Sequence, residues 1–309
     1  MLEFNKKQII TYITSLIIIC LMVGASELLH EREIIFPEIS AIALGALFAP
    51  VQSWNTNRPR LFLSISFLSF VGIAISSLPM SLLIKIPLGL LIAFSVLILS
   101  QIGFVPLISA CLLPIVLGSK SIYYPISVVL VVGMIVLIQA LYEHLGLHDH
   151  REYVPIPFTK KRHLFYAKHF LILSLFMIIP VLSGEMYFMI PPLIVAYVEM
   201  SSPRSKLKHH YSEAIILMGI AAILGVVVKM GLYEYLGVSL TLCALLINAI
   251  MFLLCAKIKL YMPPCGAIAT LPLLLQGDHL IYYPIEAIVG FMILTFIALT
   301  FFKDQRVSL

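Results

Sequence analysis

Charge is what this chain has least of. Only 11% of its 309 residues are Asp, Glu, Lys or Arg, while 61% are hydrophobic. A water-soluble fold of this length could not cover itself with so few charges, and apolar stretches recur along the whole length, which argues against a soluble domain with an anchor. Alternating strands of about ten residues are also missing, which argues against a membrane barrel. There is no Gly-rich phosphate loop, no GxSxG and no HExxH, and no loop is long enough to hold a nucleotide domain. Neither an enzyme nor an ATP-driven pump is expected, and no cofactor or metal. The five cysteines, Cys20, Cys111, Cys243, Cys255 and Cys265, lie in or beside apolar runs without a CxxC. They read as small hydrophobes rather than a disulfide framework. The net charge of +5 sits in short loops with no interleaved aromatics, so nucleic acid is not an expected partner. The lipid bilayer is.

What is present is a succession of twelve apolar segments, at about 9–29, 34–50, 61–79, 82–100, 103–118, 122–143, 163–183, 186–201, 211–229, 233–254, 260–276 and 281–302. Most approach the ~20 residues a helix needs to cross ~30 Å of hydrocarbon. The second, fifth, eighth and eleventh are shorter, about 16 residues or ~24 Å, and each carries a proline near its start. The fold class expected is an all-α polytopic membrane protein of about twelve transmembrane helices.

Basic residues orient it. With the N-terminus cytoplasmic and all twelve segments crossing, the clusters at Lys6-Lys7, Arg58-Arg60, Lys160-Lys161-Arg162, Arg204-Lys206-Lys208, Lys257-Lys259 and Lys303-Arg306 all fall inside. Arg32, Lys85, Lys120 and Lys229 fall outside or near the outer ends. Re-entrant short segments would move several of these clusters outside. The expected location is the cell membrane, with both termini cytoplasmic. The start of the chain could be read as a signal peptide ending near Gly24-Ala25-Ser26, but an equivalent apolar segment follows Lys160-Lys161-Arg162, so the first helix is expected to belong to the repeat.

The chain repeats itself. FVPLISACLLPIVLGSKSIYYP at 104–125 aligns with MPPCGAIATLPLLLQGDHLIYYP at 262–284, matching Pro106 with Pro264, Pro114 with Pro272 and Tyr123-Tyr124-Pro125 with Tyr282-Tyr283-Pro284. Earlier proline-headed segments open at Pro37 and Pro191. The expected domains are a six-helix repeat at 1–143, a polar cytoplasmic linker at 144–162 and a second six-helix repeat at 163–309. Six crossings on each side make the repeats parallel. Inside each half, Pro37-Glu38-Ile39-Ser40-Ala41 resembles Pro106-Leu107-Ile108-Ser109-Ala110 in a segment of opposite direction, which suggests inverted triplets, a layout used by secondary transporters.

The stretches at 191–225 and 251–274 carry a family resemblance. The second half resembles the HPP family of integral membrane proteins, in which a basic helix end precedes His-Pro-Pro, a glycine and a helix of small residues. Here that motif reads Met262-Pro263-Pro264-Cys265-Gly266-Ala267, with methionine at the histidine position. The first half keeps the layout and an NRPR turn at 57–60 but reduces the motif to Val105-Pro106-Leu107. Some members of the family are implicated in nitrite transport, so the resemblance implies a transporter of a small solute, such as a small anion.

Candidate binding residues follow from the proline-headed helices. Proline suits a first helical turn, and the free N–H groups there favour anions. Pro37, Pro106, Pro192 and Pro264, with Ser40, Ser109, Cys265 and Gly266 behind them, could present such ends to a path between the repeats. Alternatively the prolines cap helices near the surface and the small residues serve close packing. Glu38 either favours its helix dipole or sits in the path as a proton or cation site. Glu199 either pairs with Arg204 or Lys206 or joins the path. Asn248, deep in the tenth segment, bonds either a neighbouring helix or a substrate. Lys85 either snorkels outward or attracts anions. His144 and His148 could share a helix face, but two imidazoles without further ligands do not make a zinc site. The function expected is a transporter of a small, nitrite-like anion between the two repeats. The alternatives are a passive channel, homo-oligomeric or not, and a non-transporting membrane scaffold.

Overall fold

The computed structural model describes residues 6–203 and 205–302. Arg204, proposed above as a partner of Glu199, and Lys303 and Arg306 lie outside the described residues. Among the described residues thirteen α-helices follow one another: α1 (Lys6–Leu29), α2 (Glu38–Ala43), α3 (Arg58–Ser76), α4 (Leu82–Leu99), α5 (Leu107–Leu117), α6 (Tyr123–His144), α7 (Lys160–Phe176), α8 (Ile178–Ser183), α9 (Pro191–Ser201), α10 (Tyr211–Val227), α11 (Leu240–Ile258), α12 (Pro263–Thr270) and α13 (Tyr283–Phe301). Among the described residues there is no strand. Among the described residues eight helical stretches are long and apolar enough to cross a membrane, and two shorter apolar ones cover Leu107–Leu117 and Met186–Ser201.

Local chemistry sets the boundaries. Asn57, Thr159 and Ser239 cap α3, α7 and α11 by accepting a backbone N–H within the first turn, each contact contributing about 1 kcal/mol. Gly118 and Gly184 close α5 and α8 in the left-handed conformation. One boundary differs from the sequence expectation. The ninth segment runs on through a π-helical stretch, Val228–Tyr235, and the tenth begins only at Leu240. Gly237, at φ 67°, and the Ser239 cap place the break there rather than near Gly231.

Contacts divide the chain into two compact units, and each draws on both halves of the sequence. The first unit comprises 1–54, 123–152 and 217–284. In it α1 runs antiparallel to α11. Near one end the Glu27 carboxylate accepts from the N–H groups of Leu240 and Thr241 and from the Thr241 hydroxyl; further along, Tyr12 Oη donates to Ala249 O. At the start of α6, Ser127 Oγ donates to Ile34 O at 2.6 Å. The first part of the linker, up to residue 152, folds back on the same unit: His148 Nε2 lies 3.2 Å from Ala49 O, and Arg151 donates to Gln52 O. Gln139, a buried amide in α6, donates to Gln52 Oε1.

The second unit comprises 55–122, 153–216 and 285–309. Here α3 lies so close to α5 that a Cβ on Gly72 would stand 2.3 Å from Cys111 O. Lys85 Nζ turns back to the last turn of α3 and donates to Ser76 O at 2.7 Å, where a cation suits the helix dipole. Arg162, fully buried, donates to the carbonyls of Leu97, Ile98, Ile102 and Ile156 and so satisfies the C-terminal end of α4. An aromatic cluster of Phe94, Phe165, Tyr166, Tyr197 and Phe302 surrounds the buried ring of His169.

Candidate functional site

Two proline-headed helices of the first unit meet face to face. Ser40 of α2 lies against Gly266 of α12, where a Cβ would come within 3.1 Å of the Ser40 backbone, and Gly45 lies against Pro263. Numbers rise along α2 as they fall along α12, so the pair is antiparallel. The starts at Pro37 and Pro264 therefore point to opposite ends of the pair instead of converging. A side chain at 266 would press on the Ser40 main chain and Cβ at 3.1–3.3 Å, so glycine keeps this approach close.

The crossing carries a polar centre in otherwise apolar surroundings. Ser40 Oγ and Thr270 Oγ1 are 2.8 Å apart, and Asn248 Nδ2 reaches Thr270 Oγ1 at 3.1 Å while also donating to Ala244 O at 2.9 Å. All three side chains are fully buried. Tyr283 Oη donates to Ile268 O beside them. Glu38 is 1% exposed, in the first turn of α2, two residues before Ser40. Burying three polar side chains is tolerated because they bond one another, each bond returning about 1 kcal/mol net.

Of the residues singled out in the sequence, Pro37, Glu38, Ser40, Asn248, Pro264, Cys265 and Gly266 belong to this unit. Ser40, Asn248 and Gly266 come together through Thr270. Cys265 Sγ faces Cys255 Sγ at 3.5 Å. Pro106, Ser109, Pro192 and Glu199 belong to the second unit, where α5 and α9 pack on each other as α2 and α12 do in the first. Ser109 is fully buried in α5, and Glu199 occupies the last turns of α9.

Three residues of consequence escaped the sequence reading. Thr270 links the other members of the polar centre; its signal is the four-residue spacing from Gly266, which puts both on one helix face. Glu27 sits at the start of α11, where it occupies the donors that an anion would use. Lys229, assigned to the outer rim, is 1% exposed, with Nζ 4.0 Å from the centroid of the Tyr233 ring and 3.6 Å from Glu234 Oε1. It lies in the π-helical stretch, a rare geometry that often marks functional positions.

Compared with protein-family models, with curated proteins and with solved structures, the chain finds no match in any of the three.

Proposed function

We propose that the protein is a transporter of a small polar solute in the cell membrane, with twelve crossings and cytoplasmic termini. It is built as two parallel six-helix repeats, and its binding site is the Ser40–Thr270–Asn248 centre. The single observation that carries this reading is that centre's position. A fully buried hydroxyl–hydroxyl–amide group lies where a short, broken helix from the first half of the chain crosses one from the second half. In membrane interiors unneeded polar groups are costly, and discontinuous helices near the midplane are where transporters hold their cargo.

Hydroxyl and amide donors suit a small oxyanion, and the HPP-like segments favour a nitrite-like one. Glu38, on the same short helix, would then supply proton coupling. The repeat reading is supported by a shared contact: Gly225 lies against Ala269 O and Pro272 as Gly72 lies against Cys111 O and Pro114. The site would thus be formed between the repeats, although within one compact unit.

The experiment is flux of nitrite, nitrate and formate into liposomes holding the purified protein, with and without a pH gradient. Saturable uptake that rises with an inward proton gradient and is lost in Glu38→Gln is expected. Absence of flux with the folded protein present would leave a second reading, a non-transporting membrane subunit. The complete burial of residues 34–49 and 262–273 favours it.

A further inference from the structure

We infer that Cys255 and Cys265 form a dithiol that closes reversibly into a disulfide and locks α12 against α11. Locking rests on the transport reading; the disulfide does not. The two sulfurs are 3.5 Å apart, and both side chains are fully buried. A disulfide needs about 2.05 Å between sulfurs, so closure requires the two to approach by roughly 1.5 Å. Their neighbourhood is held ready for it. Lys259 takes the left-handed conformation, φ 55°, and Leu260 N bonds Cys255 O at 3.1 Å, folding the end of α11 tightly onto the start of α12. Other thiols are engaged differently: Cys111 Sγ donates to Gly89 O and Cys20 Sγ to Thr241 O.

The chemistry is a two-electron oxidation by a thiol oxidant such as a diazenedicarboxamide. One cysteine thiol adds across the N=N bond, giving a sulfenyl hydrazide. The second sulfur attacks the first, the S–S bond forms and the S–N bond breaks. The hydrazine leaves with both electrons and both thiol protons. The product ties the last turn of α11 to the first turn of α12, at the residue next to Gly266 and on the helix that carries Thr270. Any motion that parts Thr270 from Asn248 is then resisted by a covalent link.

The test uses the full chain in liposomes. After diamide treatment the sample is denatured and alkylated, and the modified cysteines are mapped by mass spectrometry. The expected result is that Cys255 and Cys265 alone escape alkylation, joined within one chain, and that a reductant restores both. Cys255→Ala should leave Cys265 open to alkylation. Retention of all five thiols, or pairing of any other two, overturns the proposal. Flux is then read on the same samples. Loss of flux in oxidised wild type but not in treated Cys255→Ala supports the lock, and undiminished flux in fully oxidised protein overturns it. Absence of flux before oxidation counts against the transport reading alone, since the alkylation map stands without it.

Discussion

The two units treat the same place in opposite ways. In the first, the crossing of the short helices is polar: Ser40, Thr270 and Asn248, all buried. Carrying the sequence alignment across, with Pro37 on Pro191 and Pro106 on Pro264, the second unit has Ile194, Leu112 and Leu90 at these positions, all buried too. The alignment holds along α4 and α11, which are both followed closely by a left-handed residue, Gln101 and Lys259, each at φ 55°. Apolar, buried residues thus occupy the aligned positions of the second unit. That contrast is the motive for the functional reading of the polar centre proposed above. The contrast reverses at the start of α7, where the second unit buries Arg162 while the aligned Gln8 of α1 is half-buried; further along, His169 and the aligned Ser15 are both buried. Those polar groups serve structure: Arg162 bonds four carbonyls, and His169 Nδ1 bonds Phe165 O as Ser15 Oγ bonds Thr11 O.

The largest effect should therefore come from the second unit. Arg162→Met strands several buried carbonyls, each costing about 1–3 kcal/mol, so the protein should lose roughly 3 kcal/mol or more and its thermal midpoint in detergent should fall sharply. Gln8→Met, the aligned change, should stay within about 0.5 kcal/mol. Equal losses in the two variants would show that the arginine is not the fastening of α4.

The next test crosses the units. Asn248→Leu installs the residue that the other unit carries at Leu90. Thr270 keeps Ser40 as a partner at 2.8 Å, so stability should change by less than about 1 kcal/mol, while flux should drop to background. The reciprocal Leu90→Asn introduces an amide among apolar neighbours and should cost about 1–3 kcal/mol without altering substrate preference. Flux that survives Asn248→Leu would place the path elsewhere.

Much of the fold was legible because membrane segments announce themselves by continuous apolar runs and by proline or glycine at their ends. Pro37, Pro106, Pro191 and Pro263 stand at the starts of the four short helices as read. What was not legible is pairing. Ser40 and Thr270 are separated by more than two hundred positions, and nothing local to either says that α2 lies on α12 and not on α5. Arg162 misled for a related reason. A basic residue next to Lys160 and Lys161 counts as loop charge until the carbonyls it serves, on another helix, are known.

Glu27 gives the smallest and most discriminating test. It caps α11 from outside, in addition to Ser239, whereas α4 starts at Ser81 without a side-chain cap and the residue aligned with Glu27 is Val181. A carboxylate at a helix start could be a fastening, or an anion surrogate that a substrate displaces. Glu27→Gln keeps one carbonyl oxygen to accept from Leu240 or Thr241 and removes the charge. If Glu27 is a fastening, the loss is the dipole interaction, about 0.3–1 kcal/mol, seen as a small fall in thermal midpoint with unchanged half-saturation for nitrite. If nitrite competes with the carboxylate for those donors, the neutral amide yields more readily and half-saturation falls. The absence of such a cap on α4 favours the first outcome less than its geometry suggests: a helix of this fold starts well enough without one, so a tightened half-saturation in Glu27→Gln would enlarge the functional share of the first unit at the expense of its scaffold.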